Sequence, residues 1–169
     1  MSFQSSVSLN QGFAVVGELY DNSPYRSQVF NVVSSDASNN VFGRAFTITD
    51  EATVAAGGTG VFAGIMACPK QNALLGTQAG GSLAPSLTLP NNAQANFVTM
   101  GRMVVSLPAA AAVGDLVVYN TTTGALATIS PGGSLGAGQA FAYATVAEYT
   151  VAGAGLAVIE LTPTLTIPA

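Results

Sequence analysis

Apolar residues fall in short runs along this chain, many alternating with polar ones and separated by turn signals. Period two marks a half-buried strand, and no stretch sustains a heptad or a long 3.6 period. Residues 41–48 read as a strand with Phe42, Arg44, Phe46 and Ile48 on one face and Val41, Gly43, Ala45 and Thr47 on the other. Residues 28–33, 61–67, 97–107, 116–119, 125–129, 139–146 and 156–162 read as further strands. Gly64 interrupts its run and predicts a bulge or a close backbone approach. The loop at 120–124 predicts a hairpin with glycine at its far end. The alanines at 109–112 are too few to stand as a helix, and Gly114-Asp115 turns the chain after them.

Loops are expected at 34–40, at 50–59 and over most of 69–96, which carries prolines and a Gly-Gly pair. A structureless stretch as long as the last usually serves function or an interface. The expected fold is all-β, a small β-barrel or β-sandwich with an extended N-terminal arm and a long irregular loop. Turn signals spaced by roughly 8–12 residues suit that class. The expected organisation is an arm over residues 1–11 and a single β domain over 12–169. In the arm Phe3, Val7 and Leu9 alternate with polar residues, as on an edge strand that pairs with a neighbour.

Composition sharpens this picture. The 169 residues are 49% hydrophobic and only 7% charged, against a usual charged share of about a quarter. Disordered chains are charge-rich and apolar-poor, so the chain is expected to fold. A surface with so few charges is thinly protected against association, and much of it is expected to be covered by copies of itself or by another protein. The net charge of −4 with four scattered basic residues, Arg26, Arg44, Lys70 and Arg102, disfavours nucleic acid and anionic membranes as partners. No apolar run approaches the roughly 18–20 residues of a membrane helix, and the first residues lack the features of a secretory signal. Synthesis and retention in the cytoplasm are expected. Cys68 is a lone cysteine in an apolar stretch, read as a small buried hydrophobe.

Candidate chemistry is sparse. Histidine is absent, which removes the commonest general base and metal ligand. Lys70 sits in no catalytic motif. Glu148 and Glu160 could meet across the last hairpin as a carboxylate pair, but like charges opposed in a sheet repel, and solvent-facing positions are expected. Gly57-Gly58 and Gly132-Gly133 lack the following helix and the Lys-Ser/Thr of a phosphate loop. The Asp21 and Asp36 clusters have too few carboxylates for a calcium loop. No catalytic residue, metal or cofactor is expected.

In the order of its segments the chain resembles the structural cement, or head decoration, proteins of tailed phages. The resemblance runs through Gly12-Phe-Ala-Val-Val-Gly17, Ser23-Pro24-Tyr25-Arg26, Val41-Phe-Gly43-Arg44-Ala45-Phe46 and Gly60-Val-Phe-Ala-Gly64-Ile65. It continues through Gly101-Arg102-Met-Val-Val-Ser, Val113-Gly114-Asp115-Leu-Val-Val-Tyr119, Thr123-Gly124-Ala-Leu and Gly155-Leu-Ala-Val-Ile-Glu-Leu. It covers most of the chain outside 69–96. It implies a virion protein on the capsid exterior, a homotrimer near local threefold positions, with the major capsid protein as partner. For that interface the expected residues are Ser2, Phe3, Gln4, Val7 and Leu9 of the arm, then Tyr20, Tyr25 and Arg26, because Tyr and Arg commonly anchor interfaces. Two other classes compete: a tail-tube, baseplate or head–tail junction protein, and a small hydrolase or glycan-binding module on a β scaffold. The absence of Trp weakens the last.

Overall fold

The computed structural model describes residues 14–68 and 88–162. Its strands are β1 (Arg26–Val32), β2 (Ala45–Asp50), β3 (Thr53–Ala56), β4 (Phe62–Met66), β5 (Gln94–Leu107), β6 (Leu116–Asn120), β7 (Leu126–Ile129), β8 (Gln139–Val146) and β9 (Gly155–Leu161). The fold is all-β; the one helical element among the described residues is a 3-10 turn at Ala37–Asn39, capped by the Asp36 carboxylate on the Ser38 N–H. No described helix is long and apolar enough to cross a membrane.

The strands run in the order β1-β3-β2-β4-β5-β9-β8-β6-β7, and β1 also pairs with β5. That extra pairing closes β1, β3, β2, β4 and β5 into a five-stranded barrel. The remaining strands extend from β5 as a second sheet. β5 belongs to both: its first half pairs with β1 and β4, and Gly101–Leu107 pairs with β9. The change of partner falls at Gly101, whose φ of 118° an L residue rarely adopts and whose missing Cβ would lie 2.8 Å from Tyr25 Cβ.

Two clusters of apolar side chains hold these sheets. Phe42, Phe46, Val54, Met66 and Phe97 fill the barrel, with Phe46 and Phe97 rings 5.1 Å apart. Met103, Val105, Leu107, Val117, Ala144 and Ile159 pack beneath the second sheet, joined there by Ile65 and Val98 from the barrel. Burying such side chains is worth roughly 1.5–3 kcal/mol each, which is what orders so alanine-rich a sheet. Gly64 makes the close approach its position foretold: a Cβ there would stand 2.6 Å from the Val98 carbonyl oxygen, and the β2–β4 register slips beside it.

Three expectations are corrected. Residues 41–48 are not one strand: Val41 makes an isolated bridge to Thr88, Gly43 turns the chain with φ 76°, and β2 begins at Ala45. Val16 packs where a Gly43 side chain would be, so a neighbouring segment fixes that turn. Residues 50–59 are not a loop, because β3 forms a hairpin with β2 and bonds in parallel to β1. Its Thr-Val-Ala-Ala sequence has one bulky apolar residue, too weak a pattern to read alone. The long strand begins at Gln94 rather than at 97, so the irregular stretch ends earlier than expected. Residues 69–87 lie outside the described residues.

Candidate functional site

The arm residues Ser2, Phe3, Gln4, Val7 and Leu9 lie outside the described residues. The chain enters the described structure beside β5. Gly17 N–H donates to the Val104 carbonyl at 2.7 Å, Val104 N–H to Glu18 and Tyr20 N–H to Arg102, while Leu19 bridges Met103. Residues 17–20 thus add a short antiparallel strand to the free side of the second half of β5. Cys68 N–H holds the Gly17 carbonyl from the other side. Burial, with the nearby Glu18 charge, pushes the Cys68 thiol up, so it is not poised as a thiolate.

Tyr20 stands at the end of this segment with its hydroxyl 3.1 Å from that of Tyr149. Hydrogen bonds to Tyr149 and to Glu148 favour the neutral phenol and push its pKa well up. Next to it Asp21 forms an Asx turn, accepting from the Ser23 N–H at 3.0 Å and from the Ser23 hydroxyl. These bonds, and then the Arg102 charge, hold the Asp21 carboxyl below its usual range.

Glu148 and Glu160 do come near one another, and the residue between them explains how. Arg102 faces Glu160 across the β5–β9 ladder. Its Nε donates to Glu160 at 3.1 Å and its Nη1 to Glu148 at 2.8 Å, with Asp21 at 3.8 Å. One guanidinium serves three carboxylates, an arrangement that reads as a structural clamp. A carboxylate pair for glycoside chemistry needs one member kept protonated by burial, whereas these are open to solvent and face a cation.

Tyr25 and Arg26, adjacent in sequence, face opposite sides of the sheet. Tyr25 is 55% exposed and packs over Gly101, beside a groove that also takes in Tyr20, Ser27 and Cys68. Arg26 lines a second groove of about 770 Å³, and its Nε donates to Thr99 Oγ1 at 3.3 Å. The wall of this groove is aromatic: Phe62 lies 6.0 Å from Tyr119 and 5.8 Å from Tyr143. Burial raises the pKa of the Tyr119 phenol, and the nearby Tyr143 adds to it. Val61, 71% exposed, stands at the rim.

Tyr143 is held there by an irregularity. Phe141 and Ala144 of β8 face the consecutive residues Val118 and Val117 of β6, so Ala142 and Tyr143 form a bulge between them. Tyr143 adopts a left-handed φ of 50°, rare for a bulky residue. Bulges of this kind re-aim side chains and gather at functional surfaces. The sequence carries no glycine or turn signal at 142–143, so neither the bulge nor the groove was foreseen.

The model of the phage family described as "Structural cement protein (E217 gp24/Pam3 gp6)" matches residues 3–162. The chain belongs to the phage structural cement protein family. It is therefore a capsid-decorating structural protein of a virion, as the order of its segments implied. No curated protein matches the sequence significantly. Among solved structures it is similar to a chain of "The capsid of Myoviridae Phage XM1", with a TM-score of 0.65 and 18% identity over 98% of this chain and 100% of that one. At that identity the likeness establishes a shared fold.

Proposed function

We propose that this cement protein binds the major capsid protein on the outer face of the shell as a homotrimer, and that it works by adhesion alone, without catalysis, cofactor or contact with nucleic acid. The observation that carries the proposal is the family match, which runs from the arm at residue 3 through the last strand. The residues fit it: no histidine, a carboxylate cluster clamped by Arg102, and 7% charge. Made in the host cytoplasm, the chain acts as an arm, residues 1–11, and one β domain, residues 12–169.

Holding a shell needs many modest contacts. Three linked copies raise avidity by about 10²–10⁴ where geometry lets them engage together. An ordinary specific interface buries ~800 Å² on each side. The arm, with Ser2, Phe3, Gln4, Val7 and Leu9, adds a strand to a neighbour's sheet edge, continuing from the strand-like segment at 17–20. Tyr20 and Tyr25 stand beside that segment, and Arg26 extends the interface on the other side of the sheet.

The test is to mix purified protein with undecorated capsids and image them. Density at symmetry-related positions outside the shell, and a free protein with the mass of a trimer, are the expected results. Removing residues 1–11 should lower capsid occupancy at least tenfold or leave monomers. Undiminished assembly and capsid affinity without those residues would remove the arm from the interface.

A further inference from the structure

Among the described residues β1 is paired on one edge only for most of its length. Its β5 side is bonded from Arg26 to Asn31. On the other side β3 reaches no farther than Asn31 and Val32. The direction of the main-chain groups follows from the bonds that frame the strand. Val32 N–H points to Ala93 on the β5 side, and Asn31 N–H points to Ala52 on the other. Alternation then turns the N–H and C=O of Val29 to the open edge. Val29 itself is 61% exposed. An unpaired edge of this kind is a template for another strand.

β1 thus offers its open edge at Val29 and, through Arg26 and Gln28, part of the lining of the groove that also holds Phe62 and Tyr143. We infer that it receives an extended segment of the capsid-shell protein, laid as an added strand on β1, with an apolar side chain against Phe62 and Tyr143 and a carboxylate on Arg26. This rests on the capsid-binding reading above and names the surface that does it. The bulge at Ala142–Tyr143 supplies independent support, because it holds a tyrosine in a left-handed conformation to complete the aromatic wall.

Charge selects the occupant. Among the described residues Arg102 is held by carboxylates and Arg44 by Asn39 and the Thr123 carbonyl, while Arg26 bonds only to Thr99. All eight acidic residues lie within 14–68 and 88–162, and none forms an ion pair with Arg26. The arm, the 69–87 segment and residues 163–169 contain no Asp or Glu. A strand donated by those parts of a second copy would bring Arg26 no carboxylate side chain. A shell segment bearing an Asp or Glu beside an apolar residue would.

The experiment compares the full-length protein with Arg26→Glu, Val29→Pro and, as a control beyond the far end of β8, Val113→Ser, each bound to undecorated capsids. Proline at 29 removes the outward N–H without touching the β5 ladder, and Arg26→Glu reverses the charge at an exposed position that folding tolerates. Both should lose at least tenfold in capsid affinity with unchanged circular dichroism, and the Val113 variant should bind as wild type. Full binding by folded Arg26→Glu and Val29→Pro would overturn the inference while leaving capsid binding intact. A change in the mass of the free protein in either variant would also overturn it, by giving the edge to a second copy. Wild-type protein that leaves capsids bare would instead defeat the reading beneath it.

Discussion

At the scale of single residues, two side chains carry more than their sequence positions suggest. Arg102 keeps Glu148 and Glu160 in one place, and without it like charges would face each other. Arg102→Gln should lower the melting temperature, and the loss should shrink in high salt because screening weakens the remaining repulsion. A melting temperature unaffected at low salt would mean that the clamp contributes nothing. Tyr143 is the second case. At φ 50° an L side chain costs about 1–2 kcal/mol relative to glycine. Tyr143→Gly and Tyr143→Ala both lose the ring, but only the alanine keeps the strain. The glycine variant should therefore be the more stable of the two by about 1 kcal/mol in urea denaturation. Equal stabilities would show that the bulge relaxes when the ring is gone.

Among the elements, β5 is the one on which the architecture turns. Its first half closes the barrel and its second half founds the other sheet. Gly101 makes the change of partner possible, since no side chain fits between β5 and Tyr25. Gly101→Ala should cost about 1–3 kcal/mol from backbone conformation alone, with a further loss as Tyr25 is pushed aside. Equilibrium unfolding measures it, and stability equal to wild type would show that the strand can bend elsewhere. The 14-residue length of β5 was nearly visible in the sequence, because its apolar residues run on past any single alternation. Its double membership was not. A residue string gives the strand but not its partners, and pairing is settled by which apolar faces bury each other.

For the whole molecule, the absence of histidine predicts a flat response near neutrality. No unperturbed side chain titrates between about pH 5 and 8 when histidine is missing, so the melting temperature should hold constant across that range. On the acid side Asp21 and Asp36 have carboxyls lowered by their serine partners. A group lowered in the folded state adds stability above its unfolded value and loses it as the pH falls through its folded value. Stability should thus decline below about pH 4. Thermal melts from pH 2 to 8 check this, and a transition centred near pH 6 would contradict it. A cement protein gains from such constancy, since its hold on a shell then does not depend on the pH of the medium.

The sequence by itself determined the class of this protein. Period-two runs, frequent turns, missing histidine and scarce charge specify a β scaffold without titrating groups near neutral pH, and the ordering of segments carries the family. It also located β6, β7, β8 and β9 to within a residue or two, because those strands are short apolar runs bounded by turn signals. It failed at β3 and at 41–44, where small residues and glycine leave the local pattern weak and neighbouring segments decide the conformation. Only the tertiary structure closed the barrel through β1 and β5, set Arg102 among three acids, brought Arg26 and Gln28 to an aromatic groove and, among the described residues, left one edge of β1 open. Those features join residues far apart in sequence, and long-range pairing depends on burial summed over the whole fold rather than on local preference.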